Sequence, residues 1–368
     1  MSSLFSNFDL RDVTLRNRVV LSPMCQYSSN DGFANDWHLV HLGSRAVGGV
    51  SLVLTEAIAV TPEGRISPQD LGIWKDEHMP MLGRIARFCR DQGAAWGTQL
   101  AHAGRKGSTH RPWEGEGAVT PEEGGWQVVG PTDDPFDPTY PRPKPLDEAG
   151  IERIIHAFAD GAKRTLEVGG NVAEIHAAHG YLIHQFLSPL ANTRRDRWGG
   201  SFENRVRLAR EVARAIRAVW PARYPLLARL SATDWVAGGW DIDQTVELSR
   251  LLKEDGVDLI DVTTGGAVPI PRGAIPVGPL YQTEFAERVR DEAGIVTGAV
   301  GMITEPRDAE AIIDDGRADL VFLARELLRD PYWPLFAAQT LGVSIPWPKQ
   351  YQRAVGPRAK MEPAYVLD

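Results

Sequence analysis

Eight short apolar runs rich in β-branched residues recur along the chain, at 17–22, 50–56, 94–102, 171–176, 225–230, 258–264, 294–301 and 319–325. Between them the apolar residues return at every third and fourth position, the spacing of an amphipathic helix. Met81, Leu82, Ile85, Ala86, Phe88 and Cys89 make one such stripe, closed by Gly93 at the C-cap position. Ile151, Ile154, Ile155, Phe158, Ala162 and Leu166 make a second, and Val206, Ala209, Val212, Ala213, Ile216 and Val219 a third. Strand followed by helix, eight times over, predicts an α/β chain folded as a single (β/α)8 TIM barrel. The strands are continuously apolar, as burial on both faces requires. An open doubly wound sheet is the alternative. Such a sheet normally carries GxGxxG after its first strand, where this chain has SPMCQY at 22–27.

Two segments depart from the repeat. FDL at 8–10 and VTL at 13–15 flank Arg11 and Asp12, which predicts a small hairpin capping the bottom of the barrel. Residues 103–146, after the third strand, are rich in Gly, Pro, Trp and acids without a period, and are expected to form one long loop covering the active site. The whole chain, 1–368, reads as one domain with a C-terminal tail at 343–368. The formal charge of −8 supplies no basic field for nucleic acid or an anionic membrane. With only Cys25 and Cys89, neither a disulfide framework nor a four-thiolate iron–sulfur cluster is expected. The N-terminus lacks the pattern of a signal peptide, and no apolar run approaches the roughly 20 residues of a membrane span. A cytoplasmic location is the expectation.

In a barrel of this type the functional groups come from the C-terminal ends of the strands. Those ends hold Ser22, Pro23, Met24, Cys25, Gln26 and Tyr27; Glu56 and Ala57; Gln99, His102, Arg105 and Lys106; and His176, His179 and Tyr181. Strand five adds Arg229, strand seven Gly298 and Gly301, and strand eight Ala324 and Arg325. Each has a plainer reading. Cys25 is read equally as a small buried hydrophobe, HxxH as structural histidines or metal ligands, Arg229 as half of a buried ion pair, and the glycines as turn formers. Taken together around one rim, an arginine and glycines at the seventh and eighth strands beside two histidines and a tyrosine suit a phosphorylated cofactor better than a metal.

The segments SPMCQY (22–27), TEAIAVTPEGRI (55–66), QLAHAGRK (99–106), HAAHGYLIHQFLSPLANTRRDRWGGSFENR (176–205) and GRADLVFLARELLRDPYW (316–333) resemble the Old Yellow Enzyme family of flavin-dependent ene-reductases. Cysteine within PMCQY resembles the thermophilic-like, xenobiotic-reductase-like subclass. The resemblance implies an FMN-binding barrel using NADPH as reductant. It implies that Ser22, Pro23, Met24, Cys25 and Ala57 line the flavin ring, that Gln99 hydrogen-bonds its pyrimidine edge, and that Arg229 lies at its N1 and O2 end. Gly301, Ala324 and Arg325 would hold the phosphate, although relatives often have Gly where Ala324 stands.

The resemblance also implies a ping-pong reduction of carbon–carbon double bonds conjugated to a carbonyl or nitro group, with hydride passing through flavin N5. His176 and His179 would donate hydrogen bonds to the substrate oxygen, Tyr181 would supply a proton, Tyr27 would contact substrate, and Cys25 would tune the flavin. Arg353, in WPKQYQRA, would reach a neighbouring subunit's site, giving a homodimer or a tetramer of dimers. The competing readings are a flavin-binding sensor without turnover and a metal-dependent barrel hydrolase using His176 and His179.

Overall fold

The computed structural model describes residues 2–271 and 273–355; residues 356–368 of the expected tail lie outside the described residues. Eight strands form the barrel: β1 (Val19–Leu21), β2 (Leu52–Ala59), β3 (Ala95–Ala101), β4 (Val172–Ala177), β5 (Leu226–Ser231), β6 (Leu259–Thr263), β7 (Val296–Ala299) and β8 (Leu320–Leu323). Each pairs in parallel with its sequence neighbours, and β8 closes on β1 with Val321 beside Val19. That closure excludes the open sheet.

Around the strands run α1 (Asp36–Val47), α2 (Met79–Asp91), α3 (Glu148–Glu167), α4 (Arg207–Val219), α5 (Ile242–Glu254), α6 (Thr283–Ala293), α7 (Pro306–Asp314) and α8 (Trp333–Thr340). Their starts follow from capping chemistry. Asp147 and Asp241 accept the backbone N–H of Gly150 and Gln244, donors that the first helical turn leaves without partners. Each such cap contributes about 1 kcal/mol. Helix α2 ends at Asp91, and Gly93 follows in the left-handed region at φ +81°.

Two hydrophobic clusters hold this frame. The outer one packs Leu82 and Ile85 of α2 and Ile151, Phe158 and Ala162 of α3 against Val53, Trp96 and Leu100 on the outer barrel face. Burying a side chain such as Phe158 stabilises the fold by about 1.5–3 kcal/mol. The inner cluster joins Val20, Leu52, Val172, Leu227, Leu259 and Leu320, at the N-terminal ends of the strands, to Leu10, Val13 and Leu15. Those last three belong to the antiparallel hairpin Phe8–Leu10 and Val13–Leu15, which therefore closes the bottom of the barrel as expected. Its turn is tied down by Asp12 N–H to the Arg223 carbonyl at 3.0 Å and by Arg11 to Asp258 at 2.7 Å. Gly298, read from sequence as a mouth residue, instead makes room inside the barrel for the Phe322 ring.

The segment 103–146 is more ordered than its composition suggests. It contains 3-10 turns at Gly104–Lys106 and Pro121–Glu123 and a short parallel pairing of Val129–Gly130 with Lys144–Pro145. Hydrogen bonds to neighbouring segments supply the order: Thr109 N–H donates to Ile66, and Arg194 donates to the carbonyls of Pro131 and Leu146. Among the described residues no helix is long and apolar enough to cross a membrane.

Candidate active site

The C-terminal end of β4 runs into a turn that carries the first candidate groups. Ala178 N–H donates to His176 Nδ1 at 3.2 Å, so this imidazole keeps its proton on Nε2, which has no hydrogen-bond partner among the described residues. His179 takes a left-handed φ of +57° and Gly180 one of +73°, folding the chain back toward the 266–267 segment. A Cβ on Gly180 would fall 1.8 Å from the Gly266 carbonyl oxygen, so only glycine fits. The turn is held by His179 N–H to Ser231 Oγ at 3.0 Å and by Gly180 N–H to His184 Nδ1 at 2.9 Å. His184 in turn meets buried Asp234 at 3.0 Å.

His179 Nε2 lies 3.0 Å from Thr263 Oγ1, whose own hydroxyl donates to Gln282 Oε1 at 3.2 Å. With that proton directed to Gln282, Thr263 accepts from His179. His176 is thus the imidazole with a free donor, a difference between the two that spacing alone does not reveal. Burial, reinforced by Arg229, pushes both histidines well below their ordinary value, so both are neutral near pH 7. The rings of His179 and Tyr181 stand edge-on to His176 at 5.2 and 4.9 Å.

Tyr181 and Tyr27 line a cleft of about 470 Å³ with Lys106, His110 and Tyr140. Residues of the 103–146 segment, among them His110, Glu116, Asp137 and Tyr140, form much of its wall. Behind Tyr27, the Cys25 thiol meets the Ala57 backbone N–H and the Tyr27 hydroxyl. Burial and the nearby acids Asp70 and Glu56 push this thiol well up, so it stays protonated. Asp70 is itself buried and raised to about 7, while Glu56 pairs with His38 at 3.2 Å.

A second cleft, of about 210 Å³, is lined by Arg229, Thr263, Gln282, Gly301, Ala324 and Arg325, among others. It brings together all the residues expected at a phosphate. Gly301 sits at φ +123°, and a Cβ there would lie 2.9 Å from Gln282 Nε2. Ala324 precedes the helix Arg325–Arg329 at φ −103° and ψ −95°, outside the regular helical and extended regions but without the positive φ that would call for glycine. Arg325 and the unpaired N–H groups that open this short helix fit an anion.

Gln99 and Arg229 reach inward from β3 and β5. Gln99 donates to Glu174 Oε1 at 2.7 Å, and Arg229 Nε lies 3.1 Å from Asp261 Oδ2. Neither Nε nor either Nη group of Arg229 forms a hydrogen bond to the described residues, which leaves the largely buried guanidinium with donors suited to an oxygen-rich, partly anionic ring edge. Ser22, buried with an unpartnered Oγ, and the half-buried Pro23 and Met24 follow β1. Arg353 lies apart from both clefts, exposed on a 3-10 turn whose Tyr351 rests on Tyr332. Among the described residues no three His, Cys, Asp or Glu side chains converge as metal ligands would, so the hydrolase reading lacks a third ligand.

Sequence reading named Lys106 at the rim without a role and did not single out Ser231, Thr263, Glu174 or Asp261. For the two acids a signal exists: each interrupts an apolar strand, in NVAEIH and DLIDVTT, with a charge that an all-round-buried strand does not otherwise carry.

A family model described as the NADH:flavin oxidoreductase / NADH oxidase family matches residues 3–342. The chain is 49% identical over 352 residues to an NADPH dehydrogenase of Geobacillus thermodenitrificans, covering 95% of this chain and 98% of that protein. Among solved structures, morphinone reductase is 25% identical with a TM-score of 0.75, covering 94% of this chain and 91% of that one. A 2-naphthoyl-CoA reductase is 26% identical with a TM-score of 0.82; 93% of this chain is covered but 52% of that one, so the chain spans about half of that protein's length.

Proposed function

The chain belongs to the NADH:flavin oxidoreductase / NADH oxidase family, that of Old Yellow Enzyme, and from this membership we propose that it reduces C=C bonds conjugated to a carbonyl or nitro group. It is an oxidoreductase that uses FMN and NAD(P)H. The observation that carries the substrate class is the neutral His176 with a free Nε2–H, edge-on to Tyr181 at the cleft.

FMN, when bound, relays a hydride between nicotinamide and substrate. Arg325 and Gly301 hold its phosphate, and Gln99 and Arg229 hold its pyrimidine edge. Ser22, Pro23, Met24, Cys25 and Ala57 form the wall beside its ring. His176, with His179 next to it, donates to the substrate oxygen and stabilises the negative charge that develops there, an oxyanion-hole role. A neutral imidazole suffices, because the developing charge strengthens an existing hydrogen bond. Tyr181, whose hydroxyl burial holds well above its ordinary value, keeps its proton until the substrate α-carbon takes it. Tyr27 contacts the substrate from the opposite wall.

The same proposal includes a cytoplasmic homodimer or tetramer in which Arg353 enters the neighbouring subunit's cleft. Its exposure and its place on a turn docked through Tyr351 leave the guanidinium free for a partner. A monomer by light scattering at micromolar concentration, or an Arg353→Ala variant with unchanged Michaelis constants, would overturn that part.

An anaerobic visible spectrum tests the core of the reading. Bleaching by NADPH and recolouring by 2-cyclohexenone are expected. Bleaching without recolouring by any enone or nitroalkene would favour a flavin sensor.

A further inference from the structure

Two carboxylates inside the barrel have no part in the reaction above. Glu174 on β4 and Asp261 on β6 lie two residues before His176 and Thr263 on the same strands, so they face the lumen one layer beneath them. Both are 0% exposed. Each sits beside a side chain already placed at the flavin. Glu174 is in register with Gln99 across the β3–β4 pairing, and Asp261 with Arg229 across β5–β6. Gln99 Nε2 gives a 2.7 Å hydrogen bond to Glu174 Oε1, and Arg229 Nε makes a 3.1 Å ion pair with Asp261. Glu174 Oε2 has no hydrogen-bond partner, and neither do the two Asp261 oxygens or Arg229 Nε, so Arg229 and Asp261 meet as an ion pair without a formed hydrogen bond.

One cation faces two acids, and the layer cannot hold both ionised without an uncompensated buried charge. Burial, and then Asp261, raise Glu174 to about 8; burial raises Asp261 to about 6 against the pull of Arg229. Near pH 7 the balanced arrangement is a neutral Glu174 with an ionised Asp261 against Arg229.

We propose that Glu174 and Asp261 are positioning residues that fix which hydrogen-bonding groups Gln99 and Arg229 present to the pyrimidine edge of FMN. This rests on the reading that FMN occupies the barrel mouth. With its amide nitrogen committed to Glu174, Gln99 turns Oε1, which makes no hydrogen bond to the described residues, toward the ring as an acceptor for its N3–H. With its charge paired to Asp261 on the Nε side and neither Nη group hydrogen-bonded to the described residues, Arg229 keeps both Nη groups as donors for the ring oxygen and N1. If Gln99 were free to rotate its amide, two donors would meet the N3–H donor, and the complementarity would be lost. Asp261 also offsets the guanidinium charge, so the ring stands over a paired rather than a bare cation.

The test compares FMN with N3-methyl-FMN binding to apoprotein by quenching of flavin fluorescence. Wild type should prefer FMN by about tenfold, the worth of one good hydrogen bond. Glu174→Leu, or Glu174→Ala should the first not fold, should bring the two flavins within about twofold of each other, while Glu174→Gln, which keeps an acceptor, should restore the preference. Independently, Asp261→Asn should raise the reduction potential of bound FMN, because Arg229 then faces the ring uncompensated. An apolar variant at 174 that discriminates like wild type, or an unchanged potential in Asp261→Asn, overturns the proposal. A wild-type protein that binds neither flavin would overturn the functional reading as well, an outcome distinct from the other two.

Discussion

The ammonium group of Lys106 lies 2.8 Å from the carbonyl oxygen of His179, joining the start of the 103–146 segment to the turn that presents Tyr181. The same Nζ reaches the Gly266 carbonyl at 3.2 Å and stands 5.3 Å from the centre of the Tyr181 ring. Burial lowers this lysine to about 8. Its charged form holds the turn below that value and is lost as pH rises through it. In wild type, kcat/KM for an enone should therefore fall above about pH 8. Lys106→Met should have a lower kcat/KM, by about tenfold for one charge-assisted contact, without that fall. An unaltered pH profile in the variant would remove Lys106 from the account.

The two histidines should not be equivalent. His176 has a free Nε2–H, whereas His179 is engaged with Thr263, so His176→Ala should weaken phenol binding to the FMN-loaded enzyme more than His179→Ala. A hydrogen bond to a charged oxygen contributes about 1.5–3 kcal/mol, a loss of roughly ten- to a hundredfold in affinity. Titration of the long-wavelength phenol band measures this directly, and equal losses would mean that Thr263 turns its hydroxyl toward His179 on binding.

Tyr181→Phe should leave flavin reduction by NADPH near the wild-type rate and slow enone reduction by about 10²-fold or more, the usual contribution of a positioned acid. Stopped-flow measurement of the two half-reactions separates them. If only the NADPH step slows, Tyr181 positions the nicotinamide.

Cys25→Ala should shift the reduction potential and rates without abolishing turnover. Its thiol stays protonated among buried acids and is poorly suited to act as a nucleophile. An inactive variant that still binds FMN would contradict this.

For the apoprotein, a stability slope follows from Glu174. Its folded value of about 8 lies above that of an unfolded glutamate, so between the two the folded state binds more protons and stability falls as pH rises. Between pH 7 and 8 chemical denaturation should show this decline, at most about 1.4 kcal/mol per pH unit for one group. Glu174→Gln should flatten it.

The barrel was legible in sequence because strand and helix periods are local properties: the stripe from Ile151 to Leu166 lies within α3, and NVAEIH ends where β4 nears the mouth. The ends were less legible. VVL forms β1 where six residues were expected, since strand length depends on how far neighbouring strands continue their ladder. The residues of the rim could be read from sequence, but the hydrogen bonds among them could not. The contacts of Thr263 with His179 and of Glu174 with Gln99 join positions 84 and 75 residues apart, and they exist only after the barrel closes.

The segment 103–146 is fastened along its length: by Lys106 and Thr109 near its start, by Trp126 to the Glu63 carbonyl in its middle, and by Arg194 to the carbonyls of Pro131 and Leu146 toward its end. Its interior supplies His110, Glu116, Asp137, Thr139 and Tyr140 to the cleft, and none of these belongs to the inner cluster that seals the barrel floor. Its buried residues are others, Val119, Val128 and Leu146 among them, so one segment holds its packing and its cleft wall on different side chains. Exchanging cleft-facing side chains such as His110, Asp137 and Thr139, with the fastening residues kept, would reshape that wall one position at a time, as panels are changed in a standing frame.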